Sequence, residues 1–242
     1  MTAETRRIAV IVPPANVAVE DEYRHYLPAD VQMHVARLYR RTYDLNTDTL
    51  AELVQSTEAA AKQVAHVEPE VVLWACTSGS FLEGPGADVA LAARITEFAA
   101  APAITTSTAL RHALAAVGAR RVYLATPYID EINAREVRFF EAAGLEVTHT
   151  ASFRFPDTRQ IRATPSAAVA DLVLAEREKA DDFDAVFISC TALHAMDRIE
   201  ELETALGVPV VCSNSATLWA GLRHIGHPTR GLGLGRLFET EA

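Results

Sequence analysis

Two cysteines stand at matching corners of the chain. Val71-Val72-Leu73-Trp74-Ala75 runs into Cys76-Thr77-Ser78-Gly79, and Ala185-Val186-Phe187-Ile188-Ser189 runs into Cys190-Thr191-Ala192. In both places an apolar run stops at a cysteine and small residues follow. A thiol attacks carbon or takes a proton only as thiolate, and an ordinary pKa near ~8.5 leaves little of it ionised at neutral pH. Free backbone N–H groups of the kind found at a helix N-terminus favour the anion. Such a corner can therefore activate its own sulfur without a neighbouring base.

Two thiols on opposite sides of a small carboxylate suit three reactions. In racemisation one thiolate removes the α-proton and the other thiol delivers one to the far face. In cis-trans isomerisation one thiolate adds to an activated double bond, the adduct rotates about the new single bond, and elimination gives the other geometry. In decarboxylation one thiol protonates the carbanion that remains. A free cysteine also packs well as a small hydrophobe, so a non-catalytic binding protein for small acids, with both cysteines merely buried, is the reading from another class. Equivalent placement of two cysteines favours chemistry. Cys212, inside the run Val208-Pro209-Val210-Val211, reads as packed.

The corners must be held by something regular. Short β-branched runs at 8–12, 71–75 and 103–106 alternate with alanine-rich amphipathic stretches at 48–66, 87–100 and 107–117, the signature of a parallel sheet with helices on both faces. The pattern restarts with strands at 122–125, 145–148, 185–189 and 208–212, and helices at 130–143, 166–180, 198–206 and 215–225. Pro13 precedes Cys76 by 63 positions, and Pro127 precedes Cys190 by 63. Thr105-Thr106-Ser107-Thr108 is answered by Cys212-Ser213-Asn214-Ser215. The expected fold is α/β with two pseudosymmetric lobes, each a parallel sheet flanked by helices. The lobes divide as 1–118 with a closing segment from about 208 to 242, against 119–207, or more simply as 1–120 and 121–242. Ligands of parallel sheets bind beyond the carboxyl ends of the strands, where both cysteines fall, so the site is expected between the lobes.

Composition narrows the partners. The 242 residues are half hydrophobic and 22% charged, as in an ordinary globular protein. A formal net charge of -10 argues against a nucleic-acid surface and repels anions at long range, so an acidic substrate has to be held by local groups. No apolar run approaches the ~20 residues that span a bilayer, and Met1-Thr2-Ala3-Glu4 leads towards a strand rather than a signal segment. Three cysteines do not make a disulfide framework. A cytoplasmic protein without a membrane partner is expected, and a homo-oligomer, a dimer, on base rates.

Four motifs in order, Pro13-Pro14-Ala15-Asn16-Val17-Ala18-Val19-Glu20, Cys76-Thr77-Ser78, Thr126-Pro127-Tyr128-Ile129-Asp130-Glu131-Ile132-Asn133 and Cys190-Thr191-Ala192, resemble the maleate cis-trans isomerase and arylmalonate decarboxylase branch of the aspartate/glutamate racemase superfamily. The resemblance covers nearly the whole chain and implies a metal-free, cofactor-independent enzyme acting on a small dicarboxylate. It implies that Cys76 is the nucleophile and Cys190 the proton donor and acceptor opposite. It further implies that Asn16 and Tyr128 hydrogen-bond the substrate carboxylates, that Pro14 lies with them, and that backbone N–H groups around Thr77, Ser78, Thr191 and Ala192 complete two carboxylate cradles. The decarboxylases of the branch keep only the second cysteine and the isomerases keep both, which favours isomerase or racemase chemistry here. One departure is the loop Pro156-Asp157-Thr158-Arg159-Gln160-Ile161-Arg162, where the isomerases carry an asparagine; Gln160 or Arg159 is the expected replacement, and a related diacid is an alternative to maleate.

Other features read as structure. His194 is expected to be packed or solvated, and the remaining histidines lack metal-ligand spacing. Gly231-Leu232-Gly233-Leu234-Gly235 has no helix and strand after it and is expected to be a flexible closing stretch. The basic run Arg37-Leu38-Tyr39-Arg40-Arg41 reads as a solvated face.

Overall fold

The structure, a computed structural model, describes residues 5–240; residues 1–4, on which the absence of a signal segment was argued, lie outside the described residues. The first half runs β1 (Arg6–Val12), α1 (Ala18–Tyr26), β2 (Val31–Arg37), α2 (Thr47–Gln55), α3 (Thr57–Ala65), β3 (Val71–Trp74), α4 (Thr77–Phe81), α5 (Ala87–Ala99), β4 (Ala103–Thr105) and α6 (Thr106–Ala116). The second runs β5 (Arg121–Thr126), α7 (Asp130–Ala142), β6 (Glu146–Ser152), α8 (Thr158–Ala163), α9 (Ser166–Ala175), β7 (Ala185–Ile188), α10 (Ile199–Leu206), β8 (Val210–Cys212) and α11 (Ser213–His224). Both halves build the same four-stranded parallel sheet, in the orders β2-β1-β3-β4 and β6-β5-β7-β8.

The central strands are apolar without alternation because helices cover both their faces. Ile8 to Val12, Val71 to Trp74 and Ala185 to Ile188 are buried throughout. In register, Ile11 sits opposite Trp74 and Ala125 opposite Ile188, so each cysteine corner emerges beside the loop that follows the neighbouring central strand. In each sheet this is where successive strands go to opposite sides, the usual place for a ligand.

Four features differ from the sequence reading. β2 and α1 were not expected: β2 is an edge strand, mostly half-buried, and α1 is so rich in charge that its apolar face is only Ala18, Val19 and Tyr23, with Glu22 buried among them. The helical stretch 48–66 is two helices that meet at Ser56, whose hydroxyl bonds back to the Leu53 carbonyl. The glycine-rich stretch is docked rather than flexible. Leu234, Leu237 and Phe238 are buried, and the Glu203 carboxylate on α10 accepts the N–H groups of Val210 and Arg236.

The helices after the last strand of each sheet join the lobes. Thr105 caps α6 by accepting the Thr108 N–H, and the Cys212 sulfur caps α11 by accepting the Ser215 N–H. α6 and α11 lie against each other, with the Thr217 hydroxyl donating to Thr106 Oγ1 at 3.0 Å. α11 also presses on β3 so closely that a Cβ at Gly221 would stand 2.8 Å from Leu73 Cδ1. The segment from 208 onwards is thus shared: β8 pairs within the second sheet, and the helix after it packs on the first lobe. No helix among the described residues is long and apolar enough to cross a membrane.

Candidate active site between the lobes

The loops after β1, β3, β5 and β7 enclose a cavity of about 30 Å³, room for a water or two. Cys76 and Cys190 both line it, one from each lobe, together with Asn16, Thr77, Ser78, Tyr128, Thr191 and Ala192. Pro14 is not among the lining residues; its neighbours Pro13 and Ala15 are, and the Pro14 carbonyl is turned towards Arg37.

Hydrogen bonds across the seam fix the two corners relative to one another. The Thr191 hydroxyl donates to the Ala75 carbonyl at 2.9 Å, and Asn16 Nδ2 donates to Thr191 Oγ1 at 3.1 Å. Asn16 Oδ1 accepts the Val19 N–H, so the same side chain holds the start of α1. Ser213 Oγ receives both the Thr77 hydroxyl, at 2.9 Å, and the Cys190 N–H, at 3.0 Å. Cys190 sits at φ 96°, a left-handed conformation that costs an L-residue with a Cβ about 1–3 kcal/mol and persists only where the surroundings enforce it. Such strain aims a side chain.

The two sulfurs have different electrostatic surroundings. Cys76 precedes α4, whose first-turn N–H groups lack intrahelical partners. Burial pushes its thiol up, opposed by the Gly79 N–H, the Ser78 hydroxyl and the Arg40 guanidinium. Gly79 has to be glycine for this contact: a Cβ there would lie 2.5 Å from the Trp74 ring and 3.2 Å from Cys76 Sγ. Cys190 is followed by a turn rather than a helix. Burial pushes it up to about 12, opposed by the Tyr128 hydroxyl and the Ala192 N–H and reinforced by Cys76. Tyr128 is itself fully buried, and its hydroxyl makes no hydrogen bond of good geometry among the described residues. The pair is therefore graded: burial pushes both thiols up, but a cation stands by the Cys76 anion, whereas Cys76 and Glu136 oppose the Cys190 anion.

Arg40 is the correction of most consequence. The basic run was expected to be solvated, yet Arg40 is 8% exposed and lines the cavity, donating to Thr158 Oγ1 at 2.7 Å with its Nε unpartnered among the described residues. The expected replacements for the isomerase asparagine turn away. Arg159 is exposed, paired with Asp157 and stacked over the Tyr43 ring, and Gln160 is exposed too; Thr158 and Ile161 of the same helix face the cavity instead. His194 lies outside the cavity near Asp21, as a packed or solvated residue would. Leu45, Leu50 and Leu53 complete an apolar wall. Above it the lobes touch again: Leu45 N–H donates to the Pro156 carbonyl and Thr158 N–H to that of Tyr43, flanking a bridge between Asp44 and Asp157.

The family model described as arylmalonate decarboxylase matches residues 8–238. The chain belongs to this family. It is 32% identical over 238 residues to the arylmalonate decarboxylase of Bordetella bronchiseptica, covering 98% of each chain. It is 28% identical over 247 residues to the maleate isomerase of Nocardia farcinica, covering 98% of this chain and 97% of that one. Among solved structures, it superposes with a TM-score of 0.89 on a cysteine-to-serine variant of the Nocardia farcinica maleate cis-trans isomerase that carries a covalently bound succinylcysteine intermediate, at 26% identity and covering 98% of this chain and 99% of that one. The family thus includes relatives of both kinds, and the branch suggested by the four motifs is the one the comparisons return.

Proposed function

We propose that this protein is a cis-trans isomerase of a small unsaturated dicarboxylate, with maleate the first candidate, working through a covalent adduct on Cys76. The observation that carries the reading is that two cysteines, one from each lobe, line one cavity. Sγ of the Cys76 thiolate adds to one alkene carbon, the π pair moves to the other, and the Cys190 thiol protonates that carbon from the opposite side. The product is a succinyl thioether whose central bond is single and rotates. The Cys190 thiolate then removes the proton, the C–S bond breaks, and the trans alkene leaves with Cys76 ionised again. No other group gains or loses electrons in this cycle, so the two thiols suffice.

The gradation of the sulfurs suits this order, since the thiol beside Arg40, Gly79 and Ser78 is the nucleophile and the one pushed up to about 12 is the acid. Arg40 supplies the local positive charge that a net charge of -10 otherwise denies a dianion. Its unpartnered Nε, the Tyr128 hydroxyl and the N–H groups of the two corners are the donors for the carboxylates.

A second reading is decarboxylation or racemisation of a related acid: the 32% identity to a decarboxylase favours decarboxylation, which needs the Cys190 thiol alone, whereas racemisation uses both thiols. Incubation with maleate, aspartate, hydantoin and an arylmalonate, followed by proton NMR, separates them. Fumarate from maleate, abolished in Cys76→Ala, supports the isomerase; carbon dioxide release or loss of an α-deuterium with maleate untouched refutes it.

A further inference from the structure

The two lobes carry a matched pair of buried glutamates with unmatched surroundings. Glu22 on α1 and Glu136 on α7 are 114 positions apart, the spacing that also relates Pro13 to Pro127 and Cys76 to Cys190. Glu22 accepts three hydrogen bonds, from Ala195 N–H at 2.7 Å, Met196 N–H at 2.8 Å and Asn214 Nδ2 at 2.6 Å. These donors oppose the upward push of burial and tie α1 to the loop after Cys190. Its counterpart Glu136 is 0% exposed, has one contact, 2.6 Å from Oε1 to the Ser189 hydroxyl, and leaves Oε2 buried without a partner among the described residues.

A carboxylate so placed would keep most of its charge uncompensated in a medium of low dielectric, and taking up a proton removes that cost. In the acid form the carboxyl O–H donates to Ser189 Oγ across the same 2.6 Å, and the orphaned Oε2 becomes a neutral carbonyl oxygen, a weak acceptor that tolerates burial. Ser189 immediately precedes Cys190. We propose that Glu136 is held as a neutral acid at physiological pH and that, through Ser189, it is a positioning residue for Cys190, keeping the ground beneath that thiol uncharged so that it can give up a proton in the site. Burial pushes Glu136 up to about 8, and the Glu136 charge is among the influences that raise both Cys190 and Tyr128.

Two ionisable groups of the site feel this one, Tyr128 from the loop between β5 and α7 and Cys190 from the end of β7, and Cys76 across the seam acts on both of them. α4, which packs on α7, and β7 carry no charged side chain. On the neighbouring strands Arg121 pairs with Glu146 and His149 with Glu176, and on α7 Arg135 pairs with Glu131 and Asp130 with Arg154. Arg138 and Glu141 complete the charges of α7.

The test reads Cys190 and the carboxyl group rather than turnover, so it stands apart from the isomerase reading, on which it rests only in giving Cys190 a proton to exchange. Alkylation of Cys190 by iodoacetamide is followed by mass spectrometry across about pH 6.5 to 9.5 in the wild type and in Glu136→Gln, which copies the neutral acid. The two profiles should agree below about pH 7 and part above about pH 8, where the wild type falls behind by about tenfold, one pKa unit. Superimposable profiles, or a difference already present below pH 7, overturn the proposal. Should Glu136→Gln not fold, the wild-type infrared spectrum decides: a buried protonated carboxyl band at neutral pH that disappears near pH 8 supports it, and its absence overturns it.

Discussion

Replacing Arg40 with methionine keeps much of the aliphatic stem and removes the one charge among the described residues that line the cavity. Two effects follow on the reaction. The first is a lost charge-assisted contact to a substrate carboxylate, worth roughly 1.5–3 kcal/mol per hydrogen bond. With the buried, unpartnered Nε as the donor, a loss of about 2–3 kcal/mol in transition-state binding corresponds to about 30- to 150-fold in kcat/KM. The second is on Cys76, whose anion loses a cation that favours it, so its alkylation at neutral pH slows. Stability should move the other way. In the empty site the Thr158 hydroxyl is the hydrogen-bond partner of a desolvated guanidinium among the described residues, with Asp157, Asp44 and Glu52 acting on it only through space, and replacing such a buried charge with an apolar side chain is commonly neutral or stabilising, here by about 0–2 kcal/mol. The assay is kcat/KM for conversion of maleate to fumarate, with thermal unfolding and Cys76 alkylation measured on the same preparations. If Arg40→Met keeps kcat/KM within about threefold and lowers Tm, Arg40 is a structural residue and the reasoning fails.

Three further outcomes are expected. Gly79→Ala, whose new methyl meets the Trp74 ring at 2.5 Å, should cost about 1–3 kcal/mol in thermal stability and slow turnover at least tenfold, because the clash displaces the N–H that supports Cys76; wild-type turnover would count against it. Since burial raises Cys76, its thiolate fraction grows as pH rises, so turnover and Cys76 alkylation should both climb between about pH 6 and 9, and a flat profile would show that thiolate formation does not limit either. Gly235→Ala puts a Cβ at φ 72° and 2.5 Å from Ile199 Cγ2, so calorimetry should record a loss of about 1–3 kcal/mol, and an unchanged Tm would mean the closing segment is less firmly docked than its buried Leu234 and Phe238 indicate.

The central strands and both cysteine corners were legible because the signals were local: unbroken apolar runs ending at a cysteine, repeated at a fixed spacing. The edges were harder to see. β2 is only partly buried, and α1 sets a buried carboxylate among the three apolar residues of its inward face on an otherwise charged helix, so neither shows the periodicity that burial normally imposes. Arg40 belongs to a run that composition assigns to solvent; its destination depends on how the end of β2 meets the other lobe, which no short segment encodes. At α8 the helical period itself held the answer, since Thr158 and Ile161 are three apart and share the inward face, leaving Arg159 and Gln160 outward. Glycine punctuation after 230 suggested slack because the docking is carried by Leu234, Leu237 and Phe238 and by the contacts of Gly235 and the Arg236 N–H with α10, some thirty residues earlier in the chain.

The pairing of α6 with α11 has a mechanical corollary. One flank of the molecule is stitched through the helix after each sheet, whereas the opposite flank is fastened by main-chain bonds around Asp44 and Asp157 together with the side-chain contacts of Arg40 with Thr158 and of Thr47 with Glu131. With room for a water or two, the cavity between these fastenings has to widen to admit a four-carbon acid.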